Sequence, residues 1–230
     1  MTAPITLFAW PTPNGQKVAI LLEELELPYA IHRIERSDDG TLNPEYERIS
    51  PDTEASAIVD PEGPDGRPYT VFATGAILTY LAEKTGRLWP QTHPEKYNTL
   101  QWLMFQTSAI GPMFLQGHHF RMYAPERFDY AIDHFAGAAE RLYGAMDYRL
   151  KDSEFLAGDF FSIADIATFP WTRSIDRQGL AMDSFPNVKR WFDTVDARPG
   201  IQRGLAALVV EPADDRWRHA GSTRRMGMLP

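Results

Sequence analysis

The chain contains no cysteine. That absence removes disulfides, thiolate metal ligands, a cysteine nucleophile and any CxxC redox pair supplied by the protein itself. Sulfur chemistry, if it occurs here, needs a thiol brought in by another molecule. No apolar run approaches the roughly 18 residues of a membrane span, which argues against a membrane partner. Residues 1–10 (MTAPITLFAW) lack a basic leader and a long apolar stretch, so no secretory signal is expected and a cytoplasmic protein is. Positive charge is also scarce: 23 Lys and Arg stand against 31 Asp and Glu, a net charge of −8. With a pI near 5.2, nucleic acid is an unsuitable partner, because phosphate binding calls for clustered Lys and Arg. GxSxG, P-loop and dinucleotide fingerprints are missing too, which leaves acyl transfer, nucleotide hydrolysis and hydride transfer without support.

What is present is apolar material for real cores, at 43% of the 230 residues. The first 86 residues alternate in type. Ile5–Phe8 reads as a strand, TPNG at 12–15 as a turn, and Gln16–Leu25 as an amphipathic helix, with Val18, Leu21, Leu22 and Leu25 on one face. Tyr29–Ile34 makes a second strand and completes a βαβ unit. A short helix around Pro44–Arg48 follows. Ala57–Val59 and Tyr69–Phe72 are strands joined by the Pro- and Gly-rich DPEGPDGRP. A helix over Gly75–Lys84 ends with Gly86 as its cap. After a linker near Arg87–Pro94 the pattern turns all-helical: 96–117, 125–150, 163–178, 186–197 and 199–208. Ser162 and Asp165 have the spacing of a capping box. The pattern predicts an α/β domain over 1–86, an all-helical domain over 95–210, and an irregular tail over 211–230 carrying Arg216, Arg218, Arg224 and Arg225.

Thr12, Pro13, Asn14 and Gly15 lie between a strand and a helix. A helix N-terminus favours an anion, a thiolate included, and Thr12 and Asn14 carry groups that donate to sulfur. From the residues alone, ordinary helix caps are the favoured reading of the same pair. His118-His119 has the look of a metal pair, but neighbours on a helix point about 100° apart, so no metal site is expected. Trp10, Met104, Phe105, Met113, Phe114, Phe120 and Tyr123 offer an apolar lining for a small apolar substrate, or plain interior packing.

Long segments in order — TPNGQKV at 12–18, RISP at 48–51, AIVD at 57–60, GAILTYLAEKTG at 75–86, LQW at 100–102, GHHF at 117–120, RLY at 141–143 and SIADIATFPW at 162–171 — resemble the glutathione transferase superfamily. Within it they resemble the bacterial Nu-class group that includes glutathione-dependent disulfide-bond reductases. The resemblance implies a thioredoxin-like N-terminal domain, an all-α C-terminal domain, a homodimer, glutathione as cosubstrate along the N-terminal domain, and a second substrate between the domains. It puts the thiol at Thr12 and Asn14, and the rest of the glutathione seat at Gly15, Lys17, Ala55, Ser56, Ala73, Thr74 and His134.

Three of those positions depart from the family pattern. Ser56 stands where the family carries a cis proline. A cis bond before a non-proline residue costs about 2.5–4 kcal/mol, so either a shifted trans backbone or a strained cis bond is expected. Ala55 holds the position whose backbone pairs with the cysteinyl part of glutathione, and Glu54 replaces a usual lysine. Ala73 replaces the acidic residue that holds the γ-glutamyl ammonium, while Thr74 keeps a hydroxyl for the carboxylate. His134 replaces an arginine that reaches the ligand across the dimer. Together they predict a remodelled and weakened glutathione site. The alternatives are a glutathione-independent isomerase, lyase or cyclase using His118, His119 or His134, and a non-catalytic ligand-binding dimer.

Overall fold

The computed structural model describes residues 3–34, 44–51 and 56–209. The tail over 211–230, Glu54 and Ala55 lie outside the described residues. Within them the chain forms two compact units: one running to Trp89 and joined by the segment from Ala197, the other from Pro90 to Asp196.

The first unit is built on a four-stranded sheet of order β2-β1-β3-β4, with β1 at Ile5–Ala9, β2 at Tyr29–Arg33, β3 at Ala57–Asp60 and β4 at Tyr69–Phe72. β1 and β2 run parallel, linked by helix α1 (Pro13–Leu25), while β3 is antiparallel to β1 and β4 to β3. This is the expected βαβ followed by ββα, a thioredoxin-like arrangement. A short helix α2 spans Pro44–Ile49, and α3 spans Thr74–Thr85, closed by Gly86 in the left-handed conformation. The β3–β4 hairpin is held at its far end by Asp60. This buried carboxylate accepts from Tyr80 Oη, Lys84 Nζ and the Glu62 amide.

α1 is buried on nearly every side, because a second helix covers it. That helix, α9 (Pro199–Ala207), belongs to this unit and not to the helical domain expected over 95–210. The reason is steric fit. A Cβ on Gly204 would sit 2.4 Å from Ile20 Cα, so only glycine there lets the helices approach this closely, and Gly200 lies against the Glu24 carboxyl. Arg198 and Arg203 then pair with Glu24 and Glu23 along the same face.

The second unit is all helical. α4 (His93–Phe105) and α5 (Gly111–His118) form one continuous run interrupted by a π-helical turn at Gln106–Ile110, and a second π turn at His119–Tyr123 carries it past the expected end at 117. α6 (Asp129–Leu150) starts four residues later than expected. α7 (Ile163–Thr172) is followed by a separate 3₁₀ turn at Ile175–Gln178, so the expected helix over 163–178 is two pieces. Pro170 lies inside α7 and removes one ladder donor just before that break. α8 (Pro186–Asp196) completes the unit. No helix among the described residues is long and apolar enough to cross a membrane.

Candidate functional site

Sheet register decides which sequence-predicted residues meet. Phe8 pairs with Ala57, and Ala57 pairs with Phe72. The residues that continue from those positions — Trp10 to Thr12 after β1, Ser56 before β3, Ala73 and Thr74 after β4 — therefore emerge at one end of three neighbouring strands. Adjacent strands lie about 4.8 Å apart. α1 and α3 both begin at that same end, so the partly positive termini of two helices converge there. This arrangement is suited to a ligand with several negative groups.

The turn into α1 is tightly specified. Thr12 is extended and caps the helix weakly, its Oγ1 accepting from the Gly15 amide at 3.4 Å, while its carbonyl accepts from the Gln16 amide at 2.9 Å. Pro13 takes the first helical position, where its missing N–H costs nothing. Gly15 is obligatory: a Cβ there would stand 2.0 Å from the Trp10 carbonyl oxygen. Trp10 in turn packs against the buried cluster of Phe8, Ile34, Tyr46 and Ala57, which anchors the turn to the sheet.

Lys17, expected among the ligand contacts, is instead 2% exposed, and its Nζ donates to Asn14 Oδ1 at 2.9 Å. Burial lowers its ammonium pKa to about 7. Ala73 occupies the cap position of α3 with φ 64° and ψ 123°, and no side chain caps that helix. An alanine is strained there, and such strain persists only where its surroundings enforce it. It arises because β4 ends at Phe72 and α3 starts at Thr74, leaving one residue to turn the chain. Ser56 is buried. No cis peptide bond occurs among the described residues, and Ala55 lies outside them.

The histidines divide in a way that spacing does not foretell. His118 is buried in the second unit. With the Gln178 amide donating to the Ser174 and Ile175 carbonyls, its oxygen accepts from His118 Nε2 at 2.7 Å. Burial, with Arg177 nearby, lowers the imidazole pKa to about 4 and holds it neutral. Its partner Gln178, sixty residues away, has no signal in the sequence. His119 meets Phe120 edge-on, so the adjacent histidines engage different neighbours. His134 is exposed on α6, stacked on Tyr130. The apolar residues grouped by sequence scatter. Phe114 is buried and stacks on Tyr143, Phe120 stacks on Phe135, and Met104 and Tyr123 are exposed.

Residues 3–83 match the model of the glutathione S-transferase N-terminal domain, and residues 112–199 match that of its C-terminal domain. The chain belongs to the glutathione S-transferase family. Among curated glutathione S-transferase relatives, it is 41% identical to the disulfide-bond oxidoreductase YfcG of Escherichia coli K12, over 92% of this chain and 98% of that protein. It is 35% identical to YghU of the same organism, also named a disulfide-bond oxidoreductase, over 87% and 74% of the two chains. A solved glutathione transferase family member from Pseudomonas fluorescens, crystallised with two glutathione molecules, superimposes with a TM-score of 0.81 at 42% identity, covering 87% of this chain and 92% of the other. One from Pseudomonas putida, holding a glutathione disulfide, gives 0.82 at 41% identity, over 88% and 90%. The glutathione S-transferase fold expected from the sequence segments, α/β and then all-α, is the fold observed.

Proposed function

We propose that this glutathione S-transferase reduces small disulfides, with Thr12 and Asn14 holding a glutathione thiolate at the start of α1. The observation that carries the reading is the turn at 12–17: a hydroxyl and an amide at a helix N-terminus, in a chain with no sulfur nucleophile of its own. The names of the two relatives, and the two glutathiones or one glutathione disulfide in the solved neighbours, support it.

Without cysteine, both reducing electrons come from glutathione, which is a substrate here and not a resident group. One thiolate attacks a sulfur of the substrate disulfide, forming a mixed disulfide and releasing the first product thiolate. A second glutathione thiolate attacks the glutathione sulfur of that mixed disulfide. Glutathione disulfide forms, and the second product thiolate leaves and takes up a proton. The protein's part is to stabilise the first thiolate and orient it. The helix terminus and the donors of Thr12 and Asn14 lower the thiol pKa, and fixing two reactants in place lowers the entropic barrier.

The seat fits this ligand incompletely. Thr74, at the start of α3, offers a hydroxyl to the γ-glutamyl carboxylate, but Ala73 has nothing to accept from the ammonium. A hydrogen bond to a charged group is worth roughly 1.5–3 kcal/mol, so glutathione binds about ten- to a hundredfold more weakly than with an acid at 73. Gly15, Ser56 and Ala55 would contribute through their backbone, and His134 through its imidazole. A small apolar disulfide as second substrate, a homodimer and a reducing cytoplasmic setting complete the proposal. The test is hydroxyethyl disulfide reduction coupled to glutathione reductase. Turnover that depends on glutathione and falls at least tenfold in Asn14→Ala is expected, and turnover independent of glutathione sinks the reading.

A further inference from the structure

Lys17 is in a costly place. It is the fifth residue of α1, just past the first turn, and only 2% exposed, where desolvation disfavours its charge. A residue there for packing alone is better apolar, since replacing buried charge by apolar groups is often neutral or stabilising. Lys17 stands three residues after Asn14, on the same helix face, with Nζ 2.9 Å from Asn14 Oδ1. An asparagine side chain has an oxygen end and an NH2 end of nearly equal size, and the two differ in the sign of what they offer a neighbour. An ammonium has only donors, so it accepts the oxygen end and rejects the NH2 end.

We propose that Lys17 is a positioning residue: it turns the Asn14 amide so that its NH2, and not its oxygen, is presented to the sulfur held at the α1 turn. This rests on the thiolate site proposed above and deepens it. An oxygen facing a thiolate would repel it, whereas an NH2 donates to it, so Lys17 sets the sign of Asn14's contribution without touching the ligand. A neutral amine also donates to Oδ1, but its lone pair could accept from the NH2 end, so it is the ammonium form that enforces the orientation.

A double-mutant cycle on the full-length protein tests this with Lys17→Met, Asn14→Ala and the double variant. Two quantities are read: the pKa of the enzyme-bound glutathione thiol, from ultraviolet thiolate absorbance against pH, and kcat/KM for hydroxyethyl disulfide. Each single variant raises the bound-thiol pKa by about one unit and lowers kcat/KM about tenfold, while the double variant is no worse than Asn14→Ala alone. Lys17→Met unfolds at the wild-type temperature or above, which separates positioning from loss of fold. Losses that multiply in the double variant show that Lys17 acts on the ligand independently, and overturn the inference. So does a wild-type thiol pKa in Lys17→Met. A wild-type protein that neither binds nor uses glutathione overturns the thiolate site itself, and is told apart because the other outcomes require a binding wild type.

Discussion

Two helix starts in this molecule use similar residues to different ends. At the start of α7, Ser162 Oγ accepts from the Ala164 amide, and Asp165 three residues on reaches back to the Ser162 amide, forming a complete capping box. The Asp165 carboxylate is fully buried and accepts from four donors: the Leu156 and Ser162 amides, Ser162 Oγ and Trp191 Nε1 at 2.9 Å. Burial works to raise its pKa, and those four donors oppose the rise. At the start of α1, Thr12 makes one long capping bond of 3.4 Å, and no acid stands in the first turn. The first start spends every polar group on the fold. The second places the Thr12 hydroxyl and the Asn14 amide at an edge where two helix termini converge.

The contrast breaks most easily at Asp165. Asp165→Ala strands three or more buried donors and lowers unfolding free energy by about 3–5 kcal/mol in denaturant titration. A loss below 1 kcal/mol would show that the α7 start is not the scaffold described. His118 sharpens the same side of the contrast through pH. Its imidazole pKa is about 4 when folded and 6.5 ordinarily. Above pH 6.5 neither state binds the proton, and between about 6.5 and 4 only the unfolded state does. Stability therefore falls by about 2–3 kcal/mol as pH drops through that window, and His118→Gln flattens the fall. Gly204→Ala presses a methyl onto the Ile20 backbone and costs about 1–3 kcal/mol, read as a lower melting temperature. On the other side, Ala73→Glu leaves stability nearly unchanged but tightens glutathione binding about ten- to a hundredfold by calorimetry. No gain in affinity would remove the weakened seat from the account.

Much of the fold is legible in the amino-acid sequence. Strand and helix periodicity places β1–β4, α1 and α3 within a few residues, and the DPEGPDGRP connector announces the β3–β4 hairpin. The TPNG turn, Ser162 and Asp165 stand out because local residue chemistry dictates them. What stays hidden depends on contacts between distant segments. The π turns at Gln106–Ile110 and His119–Tyr123 leave no periodic mark strong enough to distinguish them from α-helix. α9 reads as one more helix of the second domain until Gly200 and Gly204 are seen against α1. Lys17 is grouped with the ligand contacts by resemblance, and its burial shows only once α1 is found covered, while the Gln178 partner of His118 is set only by how the second unit packs.

The central claim is that the Thr12 turn exists for a ligand and not for the helix. Thr12→Ala, assayed in parallel for melting temperature and for glutathione-dependent reduction of hydroxyethyl disulfide, addresses it directly. A single long cap bond is worth no more than about 1 kcal/mol. A small shift in melting temperature with at least a hundredfold loss of kcat/KM is expected. A clear drop in stability with turnover preserved would make Thr12 a cap like Ser162, and would contradict it.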